Sequence, residues 1–524
     1  MQERSLTVPL IFHRMEEVFA HSEITSVHGE TSTTRDYATW AHDVRRVVSG
    51  LRSLGLEPGD RVATLCSNNL EHLILYYAVP CAGLVLHTVN HRLSSEHIEY
   101  IVNDAGARAL VVDTELVVAL PPLERLPGVE NVFVVGESDV LHDERVRPFT
   151  ALLDAPEATG DFVVDDENLA ASICYTSGTT GWPKGVVYSH RSVVLVALMA
   201  MTNDVMGLGA TDVVMPIVPM FHANAWGLPY SSAFAGADLV LPGYGRTGAD
   251  LVELLERHRV SVTAGVASVF RDMLAYTAGR NLTHLRRLLT GGGPLPVSLS
   301  RAWFEATGLV IANSWGMTEL GPIGTIARVR RHHAAETPER QLEELSLAGF
   351  PAPLVRLRVG DEGTPPGTVG ELQVSGPTVA CAYLGDVGED RFTPDGWLRT
   401  GDVASLDSYG DLRITDRLKD VIKSGGEWIS SIDLENVIMD HPKVMEASVI
   451  GVANERWGER PVAFVVVRDG SELSDSELLE HLRARVAKFW LPDRIIFRDE
   501  LPKTSTGKIS KSNLRDEFDA LEEG

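Results

Sequence analysis

Two apolar segments, Leu169-Ala-Ala-Ser-Ile-Cys174 and Val186-Val-Tyr188, read as short strands, and between them lies Tyr175-Thr-Ser-Gly-Thr-Thr-Gly-Trp-Pro-Lys-Gly185. These eleven positions hold four Ser/Thr hydroxyls, three glycines and a lysine. Glycine lets the backbone approach a phosphate closely, hydroxyls and backbone N–H groups donate to its oxygens, and lysine adds a point charge. The Gly-x-x-x-x-Gly-Lys-Ser/Thr spacing of a loop that opens a helix is not met in this string. A triphosphate loop joining two strands fits it better.

A chain of 524 residues is too long for one ordinary core, and roughly 150 residues per domain implies several subdomains. The 44% hydrophobic fraction is that of a globular protein. A net charge of −25, from 47 basic and 72 acidic residues, argues against nucleic acid or anionic membranes as partners. An anionic substrate must therefore meet local positive charge. Cys66, Cys81, Cys174 and Cys381 have apolar neighbours and no metal-ligand spacing, so all four are expected to be reduced core residues. Residues 1–22 carry no apolar signal-peptide core, and no run of about 18 apolar residues suggests an integral membrane span. A cytoplasmic protein is expected.

The first 400 or so residues alternate helical and strand patterns. Trp40, Val44, Val47, Val48, Leu51 and Leu54 share one helical face. Glu57-Pro-Gly-Asp60 is a turn before a strand at Arg61 to Leu65; a helix at Leu70 to Val79 and a strand at Ala109 to Val112 follow. A helix at Ala249 to Arg259 and a strand at Val260 to Thr263 repeat the cycle. Such alternation predicts an α/β fold with largely parallel sheets. From Gly370 short strands separated by Gly and Asp turns predict a small β-barrel, and after Asp416 a compact α+β unit begins.

Four further strings follow in order: Asn313-Ser-Trp-Gly-Met-Thr-Glu319, Thr400-Gly-Asp402, Asp416-Arg-Leu-Lys-Asp420 and Leu501-Pro-Lys-Thr-Ser-Thr-Gly-Lys-Ile509. With the hydroxyl-rich loop they resemble the signature motifs of the adenylate-forming superfamily, which includes acyl-CoA synthetases, luciferases and peptide-synthetase adenylation domains. The resemblance spans nearly the whole chain. It implies a large N-terminal domain (1–416) of layered α/β subdomains plus the small β-barrel, and a smaller mobile α+β C-terminal domain (417–524), with the active site between them.

The implied chemistry needs ATP because a carboxylate has no usable leaving group until its attack on the α-phosphate makes a mixed anhydride with AMP. Charge on the α-phosphate and the departing pyrophosphate must then be neutralised. By resemblance, Thr176, Ser177, Gly178, Thr179, Thr180, Gly181 and Lys184 cradle the β- and γ-phosphates. Thr318 contacts the α-phosphate and Glu319 holds Mg2+, a hard ion that takes carboxylate oxygen. Trp315 lies beside adenine, Asp402 accepts the ribose hydroxyls, and Arg417 reaches the ribose or phosphates. Gly292 and Gly293, within Gly291-Gly-Gly-Pro-Leu-Pro296, line the adenine and acyl pocket. Lys508 bridges carboxylate and α-phosphate, then leaves when the C-terminal domain turns about Lys419. The glycines of Ser424-Gly-Gly-Glu427 then face the tunnel that admits CoA.

Val218-Pro-Met-Phe-His-Ala-Asn-Ala-Trp-Gly-Leu-Pro229 resembles the medium- and long-chain fatty-acyl-CoA synthetase branch. That likeness puts His222 beside the carboxylate, makes Trp226 a gate to the acyl tunnel, and sets Val266 and Gly316 along the pocket. None of these segments supplies an acid for an amino-acid ammonium. The implied partners are a small apolar carboxylic acid, ATP and CoA as co-substrate, and a homodimer stays open as the assembly. The alternative is an adenylating enzyme of secondary metabolism that passes its adenylate to a carrier-protein thiol or an amine.

Overall fold

The structure, a computed structural model, describes residues 2–176, 182–361, 363–425, 427–503 and 509–523. Two large sheets dominate. The seven-stranded sheet runs Val146–Pro148, Asn131–Val135, Ala107–Asp113, Arg61–Leu65, Val85–Thr88, Ala170–Tyr175, Gly185–Ser189, and only its last pairing is antiparallel. The expected pair of strands around the hydroxyl-rich loop is that hairpin, at the sheet's edge. The nine-stranded sheet has a parallel centre that includes Val213–Pro216, Val262–Gly265, Arg287–Gly291 and Ile311–Gly316.

Helix Leu70–Cys81 is buried on nearly every side, and its start is capped by Asn69, whose Oδ1 accepts from the His72 N–H at 2.8 Å. Helix Tyr37–Ser53 buries the predicted stripe of Trp40, Val44, Val47, Val48 and Leu51. One side chain stitches the two sheets where the site will lie. Buried Asn68, just beyond strand Arg61–Leu65, donates to the carbonyls of Pro216 (2.9 Å) and Val218 (3.0 Å) and accepts from the Met220 N–H (2.7 Å).

The small β unit is an open four-stranded antiparallel ladder, Arg356–Val359, Gly370–Ser375, Leu398–Leu406, Leu412–Arg417. The C-terminal unit is a five-stranded sheet built on the long hairpin Val444–Asn454 and Gly458–Val467, with three helices, Ser431–Met439, Asp475–Arg483 and Lys511–Glu523. Of the cysteines, Cys66, Cys81 and Cys174 are buried free thiols, but Cys381 is exposed, against expectation. It sits in the irregular chain between two elements of the small β unit, where its apolar sequence neighbours form no strand to cover it. No helix among the described residues is long and apolar enough to cross a membrane.

Three buried histidines make acid stability predictable. Burial lowers the pKa of His72 to about 4, of His87 to about 3 and of His190 to about 4. Both His87 ring nitrogens are buried without a hydrogen-bond partner. In the unfolded chain each protonates near pH 6.5, so below that pH the unfolded state binds protons that the native state refuses. The stability present above pH 6.5 is lost as the pH falls towards 4, at up to about 1.4 kcal/mol per pH unit for each histidine. The midpoint of thermal unfolding should fall by several degrees between pH 7 and pH 5; an unchanged midpoint would contradict the assignment.

Candidate active site

A cleft of about 1420 Å3 is lined by both large sheets, the small β unit and the C-terminal unit. The two described ends of the hydroxyl-rich loop meet at a pinned base. The Thr176 N–H donates to the Lys184 carbonyl (3.0 Å), and the Lys184 N–H donates to Thr176 Oγ1 (3.3 Å). Both legs also rest on helix Ser95–Asp104: the Tyr175 hydroxyl donates to Asp104 (2.6 Å), and Trp182 packs on Tyr100 with ring centroids 4.7 Å apart. Thr176 and Lys184 line the cleft, whereas Ser177, Gly178, Thr179, Thr180 and Gly181 lie outside the described residues.

Thr318 and Glu319 follow strand Ile311–Gly316 in a short turn. The Tyr188 hydroxyl donates to the Thr318 carbonyl at 2.6 Å, fixing that turn against the hairpin that carries the loop. Glu319 is buried and lines the cleft; its Oε1 accepts from the Tyr383 hydroxyl at 2.6 Å. Lys184 Nζ stands 5.3 Å from the Tyr383 ring centroid, so one tyrosine joins the loop's lysine to the acid. Burial, reinforced by the Glu319 carboxylate, raises the Tyr383 pKa and keeps its hydroxyl a donor. Sequence reasoning missed Tyr383: no spacing signal links it to a residue 64 positions away.

Asp402 is held from two sides. Its Oδ1 is 2.6 Å from Arg417 Nε, and its Oδ2 accepts from Trp315 Nε1 at 2.8 Å. Asp402 and Arg417 are cross-strand partners in the small β unit, which explains their meeting. All three line the cleft, as do Gly292, Gly293, Gly316, His222, Trp226, Val266 and the exposed Lys419. A carboxylate has about four acceptor sites, so Asp402 retains capacity beyond its two protein partners.

The segment after His222 has a conformation no sequence signal announced. Ala223, Asn224, Ala225 and Trp226 all have positive φ (43°, 51°, 47° and 57°). Each such non-glycine residue costs roughly 1–2 kcal/mol, so the surroundings must hold the turn. Asn224 does this from inside, donating to Ser172 Oγ (2.8 Å) and accepting from Cys174 Sγ (3.1 Å). The left-handed turn aims Trp226 at the glycine loop: a Cβ on Gly291 would lie 3.1 Å from the indole Cη2 and 2.6 Å from Ser314 Oγ. A larger residue there would have to displace the Ser314 hydroxyl and crowd the indole. Gly316 is obligatory, since a Cβ would lie 1.9 Å from the Pro322 carbonyl oxygen.

Helix Ala267–Leu274 forms the next wall, with Val266 at its start, Val269 inside the cleft and Arg271 beyond. It also brings the exposed Asp272 to the cleft, an acid that the segments read from sequence lacked. Of the lysine motif, Leu501, Pro502, Lys503 and Ile509 are described; Lys508 lies outside the described residues, as does Gly426 of the second glycine pair. The cluster His332, His333, Asp411 has metal-like spacing, but it does not line the cleft and Asp411 already pairs with Arg330.

The chain matches the AMP-binding enzyme model over residues 16–384 and the AMP-binding enzyme C-terminal domain model over residues 433–508. It is 43% identical over 530 residues to the long-chain-fatty-acid–CoA ligase of Thermus thermophilus, covering 99% of this chain and 96% of that one. It is 40% identical over 537 residues to the 3-methylmercaptopropionyl-CoA ligase of Ruegeria lacuscaerulensis, covering 99% of each. Among solved structures, the anthranilate CoA ligase AuaEII in complex with anthranoyl-AMP superposes with a TM-score of 0.87 at 25% identity, over 99% of this chain and 98% of that one. Family models spanning both units and relatives aligned nearly end to end lead to one conclusion: the chain belongs to the AMP-binding enzyme family.

Proposed function

We propose that this ATP-dependent, AMP-forming acid–CoA ligase acts on an apolar carboxylic acid, and that the residues of its cleft divide the work as follows. Thr176 and Lys184 hold the β- and γ-phosphates, Thr318 meets the α-phosphate, and Asp402, flanked by Trp315 and Arg417, accepts the ribose hydroxyls. Gly292 and Gly293 leave room for the adenine, and His222 stands beside the substrate carboxylate. Lys508 serves the first half-reaction alone, because a cation is worth most where charge develops in the transition state. The chain divides near residues 416–419, and Lys419 is the hinge about which the C-terminal unit turns for CoA transfer.

Mg2+ fits Glu319: a carboxylate oxygen is a hard ligand, and this one lies buried beside the phosphate loop with Tyr383 fixing its orientation. The ion would supply charge neutralisation for the pyrophosphate. The buried free thiols Cys66, Cys81 and Cys174 favour a reducing compartment, the cytoplasm.

The observation that carries the substrate reading is the apolar wall of Ile217, Val218, Trp226, Val266, Val269 and Ile323 in one cleft with Glu319 and Asp402. Relatives named for long-chain, medium-chain and methylmercaptopropionyl substrates support the same class. Trp226→Ala tests it. The indole is nearly buried, with its edge at Gly291, so removal opens space for several methylenes, each worth about 0.8 kcal/mol when buried. Longer or bulkier acids should gain kcat/KM over short ones by about tenfold, with KM for ATP unchanged. Parallel profiles across acid length would make Trp226 core packing.

A further inference from the structure

Glu446 lies on strand Val444–Asn454 of the C-terminal unit, and its side chain is only 10% exposed. Its Oε1 meets two cations. Arg271 Nη1, at 3.1 Å, comes from helix Ala267–Leu274, the wall that begins at Val266. Lys503 Nζ, at 3.2 Å, comes from the opening of the lysine motif. Lys503 in turn pairs with Ile509 in an antiparallel bridge, and the Ser510 N–H donates to the Pro502 carbonyl at 2.8 Å. The residue before Ile509 is Lys508. A chain of described contacts therefore runs from the acyl wall through Arg271, Glu446 and Lys503 to the backbone next to the lysine assigned to adenylation. Arg271, Glu446 and Lys503 all line the cleft.

A pair that joins two units stabilises only the orientation in which its members meet, and so biases the equilibrium between orientations. Arg271–Glu446 is the pair that joins the units, and with exposures of 27% and 10% it is screened less than a fully exposed pair; Lys503, 44% exposed, meets the same carboxylate oxygen from within the C-terminal unit. Nothing in the chemistry of phosphate or ribose binding requires Glu446. Its place is that of a latch.

We propose that Glu446 is a positioning residue: through Arg271 it holds the C-terminal unit in the orientation that serves acyl-AMP formation, with Lys503 tying the lysine motif to the same carboxylate, and it is dispensable for CoA transfer. The inference rests on the role given above to Lys508. Glu446→Gln keeps the shape and removes the charge. Single-turnover pyrophosphate release should fall about tenfold, while thioester formation from supplied acyl-AMP and CoA stays within about twofold of wild type. Arg271→Met, which removes the other member of the pair between the units, should give the same split. The double variant should cost little more than either single one, because both break the same contact. Glu446→Asp should restore part of the lost rate.

Lys508→Ala, measured alongside, separates the two ideas. If Lys508→Ala splits the half-reactions and Glu446→Gln does not, whether by leaving both rates unchanged or by lowering both equally, the latch is wrong and the lysine assignment stands. If Lys508→Ala lowers both halves equally, the lysine assignment fails and takes the latch with it.

Discussion

Lys508→Ala is expected to lower acyl-AMP formation by about 10²–10³-fold, the usual cost of removing one donor aimed at transition-state charge, and to leave CoA transfer to supplied acyl-AMP near wild type. The split follows from where charge develops. In the first step the carboxylate attacks an anionic phosphorus centre, and a cation between them offsets repulsion that peaks in the transition state. In the second step a thiol attacks a neutral carbonyl carbon and displaces AMP, and no repulsion between two anionic groups has to be offset. The Lys503–Ile509 bridge and the cleft-lining position of Ile509 put the residue that follows Lys508 in sequence at the cleft. Quench-flow measurement of acyl-AMP, paired with a thioester assay from synthetic acyl-AMP, reads both steps. Equal losses would make Lys508 a structural residue.

The second large effect is expected at Asp402. In the proposed role, Asp402→Ala removes the acceptor for the ribose hydroxyls; it also frees Arg417 and Trp315, which Asp402 holds at 2.6 Å and 2.8 Å. A hydrogen bond to a charged group is worth about 1.5–3 kcal/mol, so KM for ATP should rise by roughly 10–10²-fold with little change in acid selectivity. Asp402→Asn preserves an acceptor for Trp315 but not the ion pair with Arg417, and should fall between the two. If the carboxylate serves only to tie Arg417 to Trp315, the alanine variant will lose thermal stability while KM for ATP stays put. Initial rates against ATP concentration, with an unfolding curve for each variant, separate these outcomes.

Local pattern made much of this fold legible. The strands flanking the hydroxyl-rich loop fall at Ala170–Tyr175 and Gly185–Ser189, as the apolar runs predict, and the helix at residue 70 starts where Asn69 caps it. The strand expected at Val260 instead begins at Val262. Arg259 takes a positive φ of 51° and the Val260 N–H closes the preceding helix on the Leu255 carbonyl, so a residue that looks like strand finishes a helix cap. The left-handed turn at Ala223–Trp226 was illegible for a different reason: alanine and tryptophan have no intrinsic preference for it, and it exists because Asn224 is bonded into the seven-stranded sheet. Tyr383 beside Glu319, and Glu446 between Arg271 and Lys503, are long-range meetings that depend on how whole units pack. The motifs named residues that line one cleft, and the tertiary structure added Tyr383 and Glu446 beside them.

The central claim is that one cleft makes an acyl adenylate and hands it to CoA. It is tested most directly by pyrophosphate release and acyl-CoA formation across a panel of carboxylic acids of graded length and polarity, each with and without CoA. The account predicts pyrophosphate release that depends on the acid and is fastest for apolar ones, with a rate that rises when CoA is added and with acyl-CoA formed one for one with AMP. Pyrophosphate release that never yields acyl-CoA for any acid in the panel, or release equally fast without any acid, would contradict it.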